Sequence, residues 1–195
     1  MLNFIAHVFI TTMGILLGGI ANMVFTKTSF YKKHNQPIDG GKKLKKEKRV
    51  FGDNKTWVGF VSMILFCIIT QIFIGFLCAI FGINHYNDLY IGINNTIINN
   101  ALLGCLFGFT YMLFELPNSF MKRRLDIQPG KTKKSGIGWL FFIIDQIDSL
   151  IGIGLMMILV CKIPVLTTIG YIIFGAGLHV CTNMILYALK IRKNL

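Results

Sequence analysis

Five runs of apolar residues, each long enough to cross a lipid bilayer as a helix, limit what this chain can fold into. They are Phe4–Thr26, Trp57–Ile83, Ile97–Pro117, Gly136–Cys161 and Ile163–Leu189. One helical span of the hydrocarbon core takes roughly 20 such residues. The runs are too long and too unbroken for strands or for the core helices of a water-soluble domain. The expected fold is therefore all-α: a single polytopic membrane domain over residues 1–195, with about five transmembrane helices. No Lys or Arg precedes the first run, and it exceeds the length of a typical signal core. It therefore reads as a retained helix.

Charge supports this arrangement and gives it a direction. The chain carries 20 Lys and Arg against 8 Asp and Glu, a formal charge of +12, yet only 14% of its residues are charged. Soluble domains carry about 25%. Ten of the cations lie in Lys27–Lys55, six in Asn118–Lys134 and three after Leu189, whereas the loop Asn84–Thr96 holds none. The remaining one, Lys162, sits in the hairpin between the last two helices. Lys and Arg gather on the cytoplasmic side of membrane proteins. The loops at about residues 27–56 and 118–135 are therefore expected in the cytoplasm of a multi-pass cell-membrane protein, with the N-terminus outside and the C-terminus inside. In a soluble protein a pI near 9.7 would suggest nucleic acid, but this distribution suggests topology and anionic lipid, and no nucleic-acid partner is expected. That reading is enough for Lys45, Lys46 and Lys48. The five cysteines all lie in apolar runs without a CxxC and read as small hydrophobes.

Two acids stand out against this background. Asp145 and Asp148 lie inside the fourth run, in Phe142-Ile143-Ile144-Asp145-Gln146-Ile147-Asp148. An acid at such a depth costs about 2.5–3.5 kcal/mol to insert and marks a functional site by default. Their i, i+3 spacing puts both on one helix face, with Cβ atoms roughly 5–6 Å apart, where the ionised groups repel. A divalent cation relieves both the burial and the repulsion. An all-oxygen ligand set beside phosphate suits Mg²⁺, which commonly takes one or two carboxylates plus substrate oxygens. The competing reading is an intramembrane ion pair or a proton relay. Glu115, at the end of the third run, either joins the metal site or pairs with Lys122 or Arg123.

The basic segments add phosphate-suited groups. Lys122-Arg123-Arg124 follows the third run directly. Such a cluster favours phosphate, or else snorkels to headgroups. Pro37-Ile38-Asp39-Gly40-Gly41 signals a turn, and Gly52 permits close backbone approach. Asp53-Asn54 favours a turn or N-cap before the second helix, where Trp57 supplies an interfacial aromatic. Asp53 with Lys55 bridges metal and phosphate, or forms a local pair. Pro117 is expected to break or kink the third helix, and Pro129-Gly130-Lys131 to form a further turn. His179, one helical turn before Asn183, reads as a packing or hydrogen-bonding residue. The Asn-rich outer loop, with Tyr86 and Tyr90, offers no evident chemistry.

Paired acids for Mg²⁺, basic loops for phosphates and apolar walls for a lipid tail converge on phosphate chemistry at a membrane surface. A transporter or channel with an Asp145–Asp148 ion site would account for the acids alone. A scaffold for anionic lipid would account for the basic loops alone.

Two stretches carry a family resemblance. Pro37-Ile38-Asp39, the basic run, and Phe51-Gly52-Asp53-Asn54-Lys55-Thr56-Trp57-Val58-Gly59 resemble the first cytoplasmic loop of the CDP-archaeol synthase family. Ser119-Phe120-Met121-Lys122-Arg123-Arg124-Leu125, followed by Pro129-Gly130 and Asp145-Gln146-Ile147-Asp148, resembles its second signature. Asn22 and His179-Val180-Cys181-Thr182-Asn183 match further family positions. The resemblance implies five membrane helices and a CTP:lipid-phosphate cytidylyltransferase, similar in chemistry to bacterial phosphatidate cytidylyltransferases. Its partners would be CTP, a lipid phosphate and the membrane. It implies catalytic roles for Asp145, Asp148, Lys122 and Arg123, and Mg²⁺ held by Asp145, Asp148 and Glu115. Substrate-binding roles fall to Asn22, Asp39, Gly52, Asp53, Lys55, Thr56, Ser119, Arg124, His179 and Asn183. The chain departs from the pattern at Asn54 for Gly, Val58 for Arg and Lys46-Glu47 for Asp-Gly. Glu115 also replaces Asp, and Pro117-Asn118 replaces a Val-Lys-like pair. It therefore reads as a divergent member whose acceptor is an isoprenoid ether or a fatty-acyl ester.

Overall fold

A computed structural model describes residues 2–44, 48–128 and 136–190. Lys45, Lys46, Glu47 and the turn expected at Pro129-Gly130-Lys131 lie outside the described residues. Five helices are long and apolar enough to cross a membrane: α1 (Leu2–Phe25), α3 (Trp57–Ile80), α4 (Ile97–Arg124), α5 (Gly136–Leu159) and α6 (Val165–Ala188). A short helix α2 (Ser29–His34) and a two-residue antiparallel pair, β1 (Lys43–Leu44) with β2 (Lys48–Arg49), form part of the segment between α1 and α3. This hairpin was not expected from the Lys-rich composition.

Helix ends follow local chemistry. Thr56 caps α3, its Oγ1 accepting from the Gly59 N–H at 3.1 Å, and Thr96 caps α4 by accepting from Asn99 at 3.2 Å. The second helix stops at Ile80 rather than Ile83. Gly82 adopts φ +65°, and the Ile83 N–H returns to the Cys78 carbonyl at 3.0 Å. That is the left-handed glycine stop which satisfies the last carbonyls of a helix.

The break expected at Pro117 does not occur. α4 runs through Pro117 to Arg124, so Asn118–Arg124 are helical rather than loop. Proline forfeits one backbone hydrogen bond, a loss that helices packed among other membrane helices tolerate. The consequence is functional, because Glu115, Asn118 and Lys122 now share one helix face at i, i+3 and i+7 spacing.

Each helix packs chiefly on its neighbour in the order α1, α3, α4, α5, α6, whereas α6 meets α1 only sparingly. The α3–α4 interface depends on Gly104 and Gly108. A Cβ on Gly104 would lie 2.5 Å from the Cys67 carbonyl oxygen, and one on Gly108 would lie 2.6 Å from Ile64 Cα. This is the small-xxx-small packing by which membrane helices gain van der Waals contact. The buried core is built from Val8, Leu89, Leu103, Phe107, Ile153 and Met157. Large apolar residues such as Ile69, Phe76, Leu102 and Ile173 face outward, as a lipid-facing surface requires.

Candidate active site

The site is built at the end of the bundle where the 27–56 segment meets the end of α4, here termed the basic end. Asp39 organises the segment. Its carboxylate accepts from Arg49 Nη2 at 2.7 Å and from the N–H groups of Gly41, Phe51 and Gly52 at 3.1, 3.0 and 3.0 Å. Burial pushes this carboxyl upward. The Arg49 guanidinium and the three N–H groups outweigh it and hold the group well below the usual carboxylate range. Arg49 also pairs with the exposed Asp53 at 2.7 Å, and its own ionisation is pushed higher by the two acids. Gly52 sits at φ +98°, a conformation that glycine adopts without a side-chain penalty. Asp39 therefore shapes the loop that carries Gly52, Asp53 and Lys55. Thr56 is likewise a cap: it is buried, and its Oγ1 lies 2.9 Å from the Tyr31 hydroxyl.

Arg123 and Arg124 join the loop to α4. Arg123 Nε donates to the Phe51 carbonyl at 3.0 Å, and its Nη1 donates to the Ile127 carbonyl. Arg124 donates to the Lys48 and Arg49 carbonyls and stacks 5.0 Å over the Phe120 ring. Lys48 returns a bond from Nζ to Asp126 at 2.8 Å. The two guanidinium groups expected to hold phosphate are committed to loop carbonyls and act as clamps.

The acids and the two lysines form one chain of contacts. Lys55 pairs with Glu115, and Lys122 pairs with both oxygens of Asp145. The Asn118 amide donates to Asp145 Oδ1 at 2.6 Å and to Asp148 Oδ2 at 2.7 Å. Glu115 and Lys55 lie close enough to act electrostatically on Asp148. Three carboxyl groups thus gather around two ammonium groups, and Asp148 is the one without a lysine partner of its own. Lys55, Lys122 and Glu115 are 17, 16 and 21% exposed, against 35% for Asp145, so the cluster opens at Asp145. Glu115 was expected to join a metal or to pair with Lys122 or Arg123; its partner is Lys55.

The donor set suits a hard divalent cation. Asp145 and Asp148 supply carboxylate oxygens, and Asn118, whose amide nitrogen bonds both, has a buried Oδ1 that accepts no hydrogen bond from the described residues. An orphaned buried carbonyl costs about 1–3 kcal/mol, which a cation or its bound water would recover. Among the described residues no three His, Cys, Asp or Glu side chains gather as an ion site. Glu115 pairs with Lys55 as Asp145 pairs with Lys122, so an ion would compete with a lysine at either acid.

Between α1, α4, α5 and α6 runs an apolar groove enclosing about 90 Å³, lined among others by Ile15, Met23, Tyr111, Leu150 and Tyr171. From Tyr171 to Leu186 the lining covers about 22 Å of α6, at 1.5 Å per residue. His179 and Asn183 also line it, and Asn183 donates to Gln146 at 3.1 Å, next in sequence to Asp145. Asn22 accepts from Ser62 at 2.6 Å. Ser119 is buried on α4. Sequence reading gave no site role to Arg49, Tyr31 or Asn118. Asn118 could have been found at i+3 from Glu115, had Pro117 not been read as a stop.

The model of the CarS-like CDP-archaeol synthase family matches residues 5–194 of the chain. The CDP-archaeol synthase of Pyrobaculum islandicum is 32% identical over 161 residues, covering 83% of this chain and 82% of the relative. That of Methanocaldococcus jannaschii is 28% identical over 156 residues, 80% and 81% of the two chains. That of Sulfolobus acidocaldarius is 26% identical over 185 residues, 93% and 98% of the two chains. A solved structure described as an intramembrane enzyme for archaeal membrane lipids biosynthesis shares the fold, with a TM-score of 0.60 and 17% identity. The match covers 90% of this chain and 92% of that one.

Proposed function

The chain belongs to the CDP-archaeol synthase family, and we propose that it transfers a cytidylyl group from CTP to a lipid phosphate. A phosphate oxygen of the lipid attacks the α-phosphorus of CTP. The bond from that phosphorus to the bridging oxygen breaks, and pyrophosphate leaves with the electron pair. The product is a CDP-activated lipid of the CDP-archaeol or CDP-diacylglycerol type. No protein nucleophile is needed, since the attacking oxygen is already anionic.

The observation that carries this reading is the Lys55–Glu115, Asp148–Asn118–Asp145–Lys122 cluster beside an apolar groove. Asp145 and Asp148 would hold Mg²⁺, which supplies charge neutralisation at the phosphates when bound. Lys122 and Lys55 reach the same place as point charges that stabilise negative charge developing on the leaving oxygens. The groove accepts the hydrocarbon chains and brings the lipid phosphate to the Asp145 side. Gly52, Asp53 and the clamped loop hold the nucleotide over the acids. The basic end faces the cytoplasm, where CTP is available.

Purified protein supplied with labelled CTP, Mg²⁺ and a panel of isoprenoid-ether and fatty-acyl phosphates should form a CDP-lipid with equimolar pyrophosphate. No CDP-lipid from any acceptor would overturn the proposal. Orientation is tested by single cysteines at the exposed positions Asn94 and Lys42. In intact cells an impermeant reagent should label the first and spare the second. Labelling of both from outside would remove the assigned topology.

A further inference from the structure

Asn118 occupies an unusual place. One amide nitrogen sits between two carboxylates, 2.6 Å from Asp145 Oδ1 and 2.7 Å from Asp148 Oδ2. With two anions on that side, the NH₂ group must face them and the carbonyl must face away. The residue is only 8% exposed, and its Oδ1 is buried without a hydrogen-bond partner among the described residues. Its two amide hydrogens thus occupy the position between the acids that a cation would take. The oxygen left over is of the kind that hard divalent ions prefer.

We infer that Asn118 is a reversible placeholder for the divalent ion. Without an ion, its NH₂ group holds the two carboxylates together and offsets their repulsion. With an ion, a half-turn about the Cβ–Cγ bond exchanges nitrogen for oxygen, and Oδ1 faces the cation as a neutral third ligand. Other side chains at this position meet only part of this requirement. Aspartate would suit the ion but repel the acids in its absence. Alanine would do neither. The inference rests on the assignment of the Asp145–Asp148 pair as a divalent site.

The test uses full-length protein in detergent without nucleotide. Mn²⁺ binding is read by electron paramagnetic resonance with Mg²⁺ as competitor, and the melting temperature is taken in chelator and in Mg²⁺. The parent should bind Mn²⁺ displaceably. Asn118→Ala should lose roughly ten-fold or more in affinity, the scale on which a disturbed ligand environment acts. Asn118→Asp should melt lower than the parent in chelator and regain the difference in Mg²⁺. If the parent binds Mn²⁺ and the Ala variant binds it equally well, the role of Asn118 falls while the divalent site stands. If the parent binds none, both fall.

Discussion

The two ends of the bundle each bury a carboxylate among tyrosine, asparagine and helix backbone, but they treat it differently. At the end opposite the basic loops, Asp88 is closed. His7 Nδ1 lies 2.6 Å from its Oδ1, the Tyr171 hydroxyl donates to Oδ2, and its own N–H donates to Thr11 Oγ1 at 2.9 Å. These bonds tie α1, α6 and the loop between α3 and α4 into one unit. At the basic end, Asp145 and Asp148 are held by a neutral amide and a lysine, with one carbonyl oxygen unpartnered among the described residues. A buried polar network whose members are all satisfied rigidifies a fold, whereas one left incomplete is held in place by its surroundings and offers itself to a ligand. Burial alone therefore does not identify the reactive acids. The completeness of their partners does.

The largest expected effect tests this contrast directly. Asp145→Asn and Asp148→Asn should each abolish CDP-lipid formation while leaving insertion and the melting temperature in chelator nearly intact. Asp88→Asn should do the reverse. It breaks a satisfied network, at about 1–3 kcal/mol for a group left unpaired, and should lower the melting temperature while turnover per folded molecule stays near the parent value. Turnover lost at Asp88 without any loss of stability would break the comparison, as would near-normal turnover at Asp145.

A second expectation sharpens it within the basic end. Lys55 and Lys122 touch the acid cluster, whereas Lys42 is exposed on the loop. Alanine at either of the first two should lower kcat/KM for CTP by about 10²–10³-fold, the scale for removing one group that stabilises charge in a transition state. Lys42→Ala should remain near the parent. Equal, small losses at all three would reassign the lysines to lipid attraction, about 1 kcal/mol each. Arg124→Ala should act differently again. It frees the Lys48 and Arg49 carbonyls from their clamp, so the KM for CTP should rise severalfold with kcat little changed. A fall in kcat with KM unchanged would restore Arg124 to the chemistry.

The membrane fold was legible because hydropathy reports directly on lipid, and each of the five expected runs became a helix. The acids were legible too, since an Asp inside an apolar run is costly wherever it sits. Their partners were not. Lys55 and Glu115 are distant in sequence, and their pairing depends on the 27–56 segment folding back over α4. The opposite loop looked featureless because Asp88 acquires meaning only from His7 and Tyr171 on other helices. Arg123 and Arg124 were legible as cations but not as clamps, because the sequence does not reveal that backbone carbonyls, rather than phosphate, lie within their reach. Asn118 was hidden by a local rule: Pro117 reads as a helix stop, yet packing against α5 carries α4 past it.

The smallest expected effect concerns Asp39, which resembles Asp88 in being closed but lies in the loop outside the membrane helices. Its carboxyl is held well below the ordinary range by Arg49 and three N–H groups. A depressed carboxyl contributes stability that is fully present above its unfolded-state value, about pH 4. That contribution is lost progressively as pH falls through the folded-state value. Asp39→Asn removes the charge at every pH. The loop of the parent should therefore open less readily than that of the variant at pH 7, and the gap should narrow as the pH falls below about 4. Other groups titrate over the same range, but they do so in both proteins, so the difference isolates Asp39. The unfolding that is lost or gained should be that of the loop, read by proteolysis between Lys42 and Lys55 rather than by global melting. If the gap keeps its full size at low pH, the Asp39 carboxylate is not what holds the loop closed, and shape alone keeps Gly52 and Lys55 in place.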